Sequence, residues 1–319
     1  MPDPPVVSIC IINWNGLEML RNLLKSIEET RGDMVVQTIV ADNASTDGAP
    51  DMVAREFPSV LLIRNSKNLG AARGYNQGSE AALAPLLLLA NNDVIIRPGA
   101  LQALVKFIDS HPEVVAVTPK LIGSDGDPQR TGRNLPTLAA LLNLIWFIRW
   151  TGLFRRAYRE YRRGDFDANQ PSAYEQISAS VMLVRREAYM RNQFDVGYRF
   201  GIEDVDFCAR VGKEGQIYYL PEAEVVHLGR ISSRANRGFA YIGFECGWAR
   251  YLRKFHGRGA AILYKILVTL DMPVRLIMLS FQWITQIIIR RPDKAQRTWE
   301  IMRAAGEFVA TGMPSFWKA

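Results

Sequence analysis

The chain has 319 residues, 48% hydrophobic and 22% charged, a composition that supplies a packed core and excludes a disordered or low-complexity protein. Lysine and arginine outnumber aspartate and glutamate by 39 to 32, a net charge of +7, and the excess gathers at 149–163 and 250–258, which suits an anionic membrane surface better than duplex nucleic acid. Cys10, Cys208 and Cys246 are far apart with no CxxC pair, which argues against a disulfide framework or a zinc site, and the opening MPDPPVVSIC carries no signal-peptide pattern.

Residues 6–12 form a β-branched run that breaks at NWNG (13–16), a buried strand ending in a loop. Apolar residues at 17, 20, 23, 24 and 27 predict a helix over 17–29. A second strand over 35–41 runs into the polar turn DNASTDG (42–48), followed by a helix over 49–57 and a strand over 60–64. The Gly- and Ala-rich stretch 68–84 reads as a loop entering a helix, and 86–90 as a strand ending at Asn91, Asn92 and Asp93. A helix over 99–110 and a strand over 114–119 complete this half. Such alternation predicts an α/β fold with a mainly parallel sheet covered on both faces, and ligands at the carboxyl ends of its strands, where 13–16, 42–47 and 91–93 all fall.

Residues 135–163 depart from the pattern and read as an amphipathic helical hairpin. Beyond it come a strand over 177–184, a short helix over 185–190, an aromatic and Gly-rich loop over 194–202, a helix over 203–213 and a strand over 216–220. His227 follows within 221–230. Residues 260–291 are strongly apolar, but their longest uncharged run, 276–289, falls short of the roughly 20 residues that cross a bilayer. They read as helices lying in a membrane interface, or as a buried helical pair or a dimer contact.

These clusters suit sugar transfer from a nucleoside diphosphate. A divalent cation, Mn2+ or Mg2+, would neutralise the leaving group, with Asp93 as a carboxylate ligand and His227 as a second. Asp42, at a strand tip, could accept the imide N–H of a pyrimidine base. Glu203, Asp204 and Asp206 place three carboxylates at one helix start, more than the helix dipole needs, and one can serve as general base. No G-x-G-x-x-G follows the first strand, which argues against a dinucleotide-dependent oxidoreductase.

Taken in order, VSICIINWNG, IVADNASTDG, NSKNLGAARGYNQG, LLLLANNDV, GIEDVDFCAR and PEAEVVHLG resemble family 2 of the inverting glycosyltransferases, with the GT-A fold, and within it the bacterial rhamnosyltransferase-like branch. The resemblance implies that Asn13, Asn15, Gly16, Asp42, Asn43, Arg73, Asn76, Asn91, Asn92 and Asp93 line the nucleotide-sugar site. It makes Asp93 and His227 the metal ligands, Asp204 the catalytic base and Glu203 its support. Asn91 replaces the first Asp of the family's DxD-type motif, and Ala179-Ser180 stands where relatives have Gly-Ala.

The implied organisation is a GT-A domain over 1–256, made of a nucleotide-binding half (1–130), a helical insertion (131–175) and a catalytic and acceptor half (176–256). An amphipathic helical region follows over 257–319. The expected activity is transfer of a sugar, rhamnose from dTDP-rhamnose being one candidate, to a lipid-linked or polysaccharide acceptor. The alternatives are another UDP-hexose or N-acetylhexosamine transfer, or a non-catalytic scaffold in polysaccharide assembly. The expected location is the inner face of the plasma membrane, on the cytoplasmic side, with no nucleic-acid partner and a homodimer open.

Overall fold

A computed structural model describes residues 3–229 and 236–319, so that Arg230, the last residue of the segment holding His227, lies outside the described residues. Two compact units result. The first comprises residues up to 135 with 165–196 and 203–229; the second comprises 136–164, 197–202 and the described residues from 236 onward.

In chain order the elements are β1 (Val7–Asn13), α1 (Leu17–Thr30), β2 (Val36–Asp42), α2 (Ala49–Glu56), β3 (Leu61–Arg64), α3 (Ala71–Glu80), β4 (Leu86–Asn91), β5 (Val94–Ile96), α4 (Ala100–Ser110) and β6 (Val114–Ile122). Short strands β7 (Pro128–Gln129) and β8 (Gly132–Arg133) precede three helices, α5 (Leu138–Leu142), α6 (Trp146–Thr151) and α7 (Arg155–Tyr161), where a hairpin was expected. Then follow β9 (Ser172–Tyr174), β10 (Gln176–Ile177), β11 (Val181–Arg185), α8 (Arg186–Asn192), α9 (Glu203–Val211) and β12 (Gln216–His227). The chain ends in α10 (Arg237–Phe255), α11 (Gly257–Ile288), α12 (Pro292–Glu307), a π-helical turn (Phe308–Gly312) and α13 (Met313–Lys318).

The first unit holds a mixed sheet whose main path runs β3-β2-β1-β4-β11-β6-β12-β5, with β7 on β6 and β9 on β12, and a separate two-stranded sheet of β8 and β10. Neighbours β3, β2, β1 and β4 are parallel, β11 runs antiparallel to both β4 and β6, and β12 is parallel to β6 and antiparallel to β5. Alternate residues of β1 face opposite layers. Val7, Ile9 and Ile11 pack with Leu20, Leu24, Met52, Leu101 and Leu104 from α1, α2 and α4. On the other face, Cys10 packs with Ala72, Tyr75, Tyr189, Phe207 and Val211 from α3, α8 and α9. Glycines let α3 lie close: a Cβ at Gly74 would stand 3.3 Å from Ile12 Cγ1, and one at Gly78 3.1 Å from Cys10 Sγ. Burial pushes the Cys10 thiol up to about 12, and all three cysteines are free and buried.

The second unit is helical. Tyr251, Leu252, Tyr264, Val268, Met272, Phe308 and Phe316 form its interior. A buried polar network ties α6, α10 and α11 together. Asp271 accepts a hydrogen bond from Phe147 N (3.2 Å) and pairs with Arg275 (2.9 Å), and Arg275 also donates to Tyr241 Oη. Tyr264 Oη donates to Glu245 at 2.7 Å, and burial holds the Glu245 carboxyl above its usual range. Although Pro273 lies inside it, α11 is one unbroken 32-residue helix. No helix among the described residues is long and apolar enough to cross a membrane.

Candidate active site at the carboxyl edge of the sheet

Strands β1 and β2 end in register, Asn13 opposite Asp42, which brings their polar turns together. Asp42 is 2% exposed. Its Oδ2 accepts from Asn13 Nδ2 (2.9 Å) and Ser45 Oγ (2.6 Å), and its Oδ1 from Ser45 N (2.8 Å). Asn15 N donates to Ser45 Oγ, while Asn15 Oδ1 accepts from Thr46 N, both at 2.8 Å. Asn15 holds φ +52°, a left-handed conformation that asparagine tolerates. The buried Asn43 amide accepts from Asn65 Nδ2 (3.1 Å) and Leu69 N (3.4 Å), fixing the loop that leads into α3.

From β4 the cluster continues outward. Asn92 Nδ2 donates to Asn13 Oδ1 at 2.6 Å, joining the third strand end to the first two. Gly16 stands against this amide, and a Cβ there would collide with Asn92 Nδ2. Asn91 Oδ1 accepts from Tyr75 Oη at 2.9 Å, and Asn91 N donates to Ser180 O at 3.0 Å. Arg73 is exposed on the first turn of α3. Asn76 points elsewhere: its Oδ1 accepts from Tyr189 Oη (2.8 Å) and Phe194 N (3.1 Å), and its Nδ2 donates to Phe194 O (3.0 Å). It therefore anchors the start of the 194–202 loop.

Asp93 and His227 meet because β5 pairs antiparallel with β12, His227 opposite Val94, and Leu228 N donates to Asp93 O at 3.0 Å. His227 Nε2 lies 3.5 Å from Asp93 Oδ1, and both residues are 9% exposed. That buried Oδ1 has no hydrogen-bond partner, which costs free energy unless a proton or a cation occupies the gap. Oxygen and imidazole donors suit a manganese- or magnesium-like ion. Among the described residues no group of three or more His, Cys, Asp and Glu converges, so a cation here would take its remaining ligands from substrate phosphates and water.

At the start of α9, Asp204 accepts from Val205 N (2.8 Å) and from the backbone N–H of Ala179. Burial, then the neighbouring Glu203 carboxylate, push its pKa up to about 7, against the pull of those N–H groups and of Arg133. Tyr75 lies within electrostatic reach of Asp93, Glu203 and Asp204. Burial, then the charges of Asp93 and Glu203, hold its phenol well above the usual value, so it remains a proton donor. Asp206 is fully buried and paired with Arg210 (2.7 Å), which also donates to Gln193 O (2.8 Å), so this pair holds α9 to the end of α8.

Sequence reasoning missed three residues here. Tyr75 supports Asn91 and reads in the sequence as one more apolar helix residue. Ser45 bridges Asp42, Asn13 and Asn15. Gln129 contacts His227 from a two-residue strand, and the only hint of it was the Gly- and Asp-rich hairpin before it.

A half-parallel sheet with carboxylates at its carboxyl edge and an antiparallel β11 is the architecture of GT-A glycosyltransferases. The mannosyltransferase PcManGT of Pyrobaculum calidifontis, solved with GDP-Man and Mn2+, matches over 96% of this chain and 87% of its own, with a TM-score of 0.55 at 15% identity. GalNAc-T7, solved with UDP, GalNAc and Mn2+, matches over 71% of this chain and 44% of its own, with a TM-score of 0.53 at 14% identity. The model for glycosyl transferase family 2 matches residues 8–178, more than half the chain, and the protein belongs to that family of transferases.

Among curated relatives, the N-acetylglucosaminyl-diphospho-decaprenol L-rhamnosyltransferase of Mycobacterium tuberculosis is 31% identical over 211 residues, 60% of this chain. The match spans 66% of that relative, just short of two thirds of its length. Abequosyltransferase RfbV of Salmonella typhimurium is 29% identical over 126 residues, 38% of each chain.

Proposed function

We propose that the protein transfers a 6-deoxyhexose such as rhamnose from a nucleoside-diphosphate donor to the hydroxyl of a lipid-linked acceptor, with inversion at the anomeric carbon. The observation that carries the reading is Asp204. It is a carboxylate tuned to about 7, at a helix start beside the strand ends that hold Asn91, Asn92 and Asp93. A base poised near neutrality can take a hydroxyl proton and still be ionised at working pH. The likeness to a rhamnosyltransferase and an abequosyltransferase favours a 6-deoxy or 3,6-dideoxy sugar, and the first relative's name favours a polyprenyl-diphosphate acceptor.

In this reading Asn13, Asn15, Asp42 and Asn43 shape the base and ribose pocket, Gly16 leaves room for it, and Arg73 faces the donor's phosphates. Asp93 and His227 would hold the divalent cation, which when bound neutralises the charge developing on the departing diphosphate. Asn91 and Asn92 position the donor sugar, Tyr75 keeps Asn91 oriented, and Asp204 removes the acceptor proton with Glu203 raising its basicity. Asn76 acts at one remove, through the 194–202 loop. Asp204→Asn tests the assignment: donor binding persists and transfer falls by about 10²–10⁴-fold. A variant that turns over like the wild type would sink it.

The second unit supports a peripheral membrane location on the inner face of the plasma membrane. Leu263, Ile266, Leu270, Val274, Ile277, Phe281, Ile284 and Ile288 recur every three or four residues along α11 and are all exposed. They form a stripe roughly 38 Å long at 1.5 Å per residue. Exposed Arg290 and Arg291 follow directly. An apolar stripe ending in cations fits a helix lying in an anionic interface. Partition onto phosphatidylserine vesicles that is lost in Ile277→Glu/Phe281→Glu supports this. A dimer in solution that the same pair of changes dissociates, without vesicle binding, would assign the stripe to a protein contact instead.

A further inference from the structure

We propose that Gln129 is a positioning residue that fixes the tautomer of His227 and thereby aims an unprotonated Nε2 at Asp93. The inference rests on the reading of Asp93 and His227 as a cation-binding pair, and it assigns a role to a residue outside every motif so far described.

One side-chain amide links Gln129 to His227. Gln129 Nε2 donates to the carbonyl oxygen of His227 at 2.9 Å, so the orientation of the amide is set by a group that can only accept. Its Oε1 is thereby turned to the ring, 2.8 Å from His227 Nδ1. A carbonyl oxygen can only accept, so Nδ1 must carry the proton. In the neutral ring Nε2 is then the lone-pair nitrogen, and it lies 3.5 Å from the unpartnered Asp93 Oδ1. Two electron-rich atoms facing each other in a site nine-tenths buried are stable only with something positive between them.

The scaffold fits this role. Gln129 lies on β7, which pairs with β6 through Leu121↔Gln129, while β6 pairs with β12 through Leu121↔Val225. The hairpin is closed by Gly123 N donating to Asp127 O at 2.8 Å, with Gly126 at φ +85°. The amide is thus carried by the sheet and does not depend on a free loop. A partner on the far ring nitrogen fixes orientation and raises ligand basicity, and its loss typically costs about 10–100-fold in metal affinity.

The test uses the full chain with 15N-labelled histidine. The sequence has only three histidines, so the ring nitrogens can be assigned by His→Gln changes. Spectra at about pH 8.5, where a free imidazole is neutral, report which nitrogen bears the proton. Wild type is expected to show His227 protonated at Nδ1. Gln129→Met, similar in size but without an acceptor, is expected to shift it to the Nε2–H form and to weaken Mn2+ binding, read by calorimetry with donor nucleotide present, by about 10–100-fold. Gln129→Glu keeps an acceptor and is expected to restore the Nδ1–H form. Circular dichroism and the urea midpoint check that each variant folds. Wild-type His227 protonated at Nε2, or a Gln129→Met spectrum unchanged from wild type, overturns the positioning role. Wild type binding Mn2+ no more tightly than His227→Ala overturns the cation reading on which the role rests.

Discussion

On the proposed function, replacing Asp204 with asparagine separates proton removal from the rest of the site, and its consequences can be worked out for both rate and stability. The folded carboxyl titrates at about 7 against 3.8 when unperturbed, because burial and Glu203 disfavour its charge. Activity that needs the ionised form therefore rises with pH through about 7 and levels off above it. For stability the sign is opposite to that of a salt-bridged carboxylate. Its contribution is greatest below about 3.8 and is lost as pH rises to about 7, because the folded state binds the proton more tightly. At about 1.4 kcal/mol per pH unit the loss has a ceiling of about 4 kcal/mol. Partial exposure and the loss of the N–H bond made by the oxygen that becomes NH2 reduce the expected gain of Asp204→Asn at pH 8 to about 1–2 kcal/mol. The assay is a paired one: kcat/KM against pH for wild type, and urea midpoints at pH 5 and pH 8 for both proteins. A flat wild-type profile through 7, or a variant stabilised at pH 5 as much as at pH 8, would refute the reasoning.

Three further expectations concern residues around the site and in the helical unit. Gly16→Ala drives a methyl into the Asn92 amide; it should lower the unfolding free energy, read by urea titration, by about 1–3 kcal/mol and weaken donor binding together with it. Ser45→Ala removes two of the three hydrogen bonds to the buried Asp42 if the backbone moves and one if it does not; equilibrium unfolding should show a loss of about 1–3 kcal/mol. Asp271→Ala leaves Arg275 buried without its carboxylate and Phe147 N without its acceptor, so a loss of about 3–5 kcal/mol is expected, while Asp271→Ala/Arg275→Met should recover most of it.

The strand ends within residues 6–93 were legible because each joins a β-branched or leucine run to a cluster of Asn and Asp. The chain changes from apolar to polar at one residue, as at Ile12-Asn13 and Ala41-Asp42, the last residues of β1 and β2. The later strands were less so. β5 is three residues long and follows Asp93 at once, so its pairing with β12 left no periodic trace, yet it brings His227 to Asp93. β12 runs through Pro221, past the expected end at 220, because irregularities in its pairing with β6 take up the interruption. The reversed direction of β11 is a property of its neighbours in space and is written nowhere in Val181–Arg185 itself.

In the helical unit, α10 was not singled out in the sequence, because Gly238, Gly243 and Gly247 weaken its helical pattern. There the glycines admit close neighbours: a Cβ at Gly243 would meet Phe200 Cβ at 2.7 Å, and one at Gly247 would meet Ile202 Cγ1 at 2.6 Å. The single course of α11 across Pro273 was hidden because proline lacks the helical N–H, and the Asp271–Arg275 network that holds this stretch appears only once α6 and α10 are in place. Gln129 was beyond sequence reasoning for a simpler reason. Its partner is 98 residues away and the bond depends on two strand pairings, β7 on β6 and β6 on β12.

The central claim, that the carboxyl edge of the sheet is a cation-assisted nucleotide-sugar site, is tested most directly by calorimetric titration with dTDP-rhamnose, UDP-glucose, UDP-N-acetylglucosamine, UDP-galactose and GDP-mannose, with and without Mn2+. The account predicts that one deoxyhexose donor binds in the presence of Mn2+, that Asp204→Asn binds it as wild type does, and that Asp93→Ala does not. Donor binding that is indifferent to Mn2+ and to Asp93→Ala would contradict it.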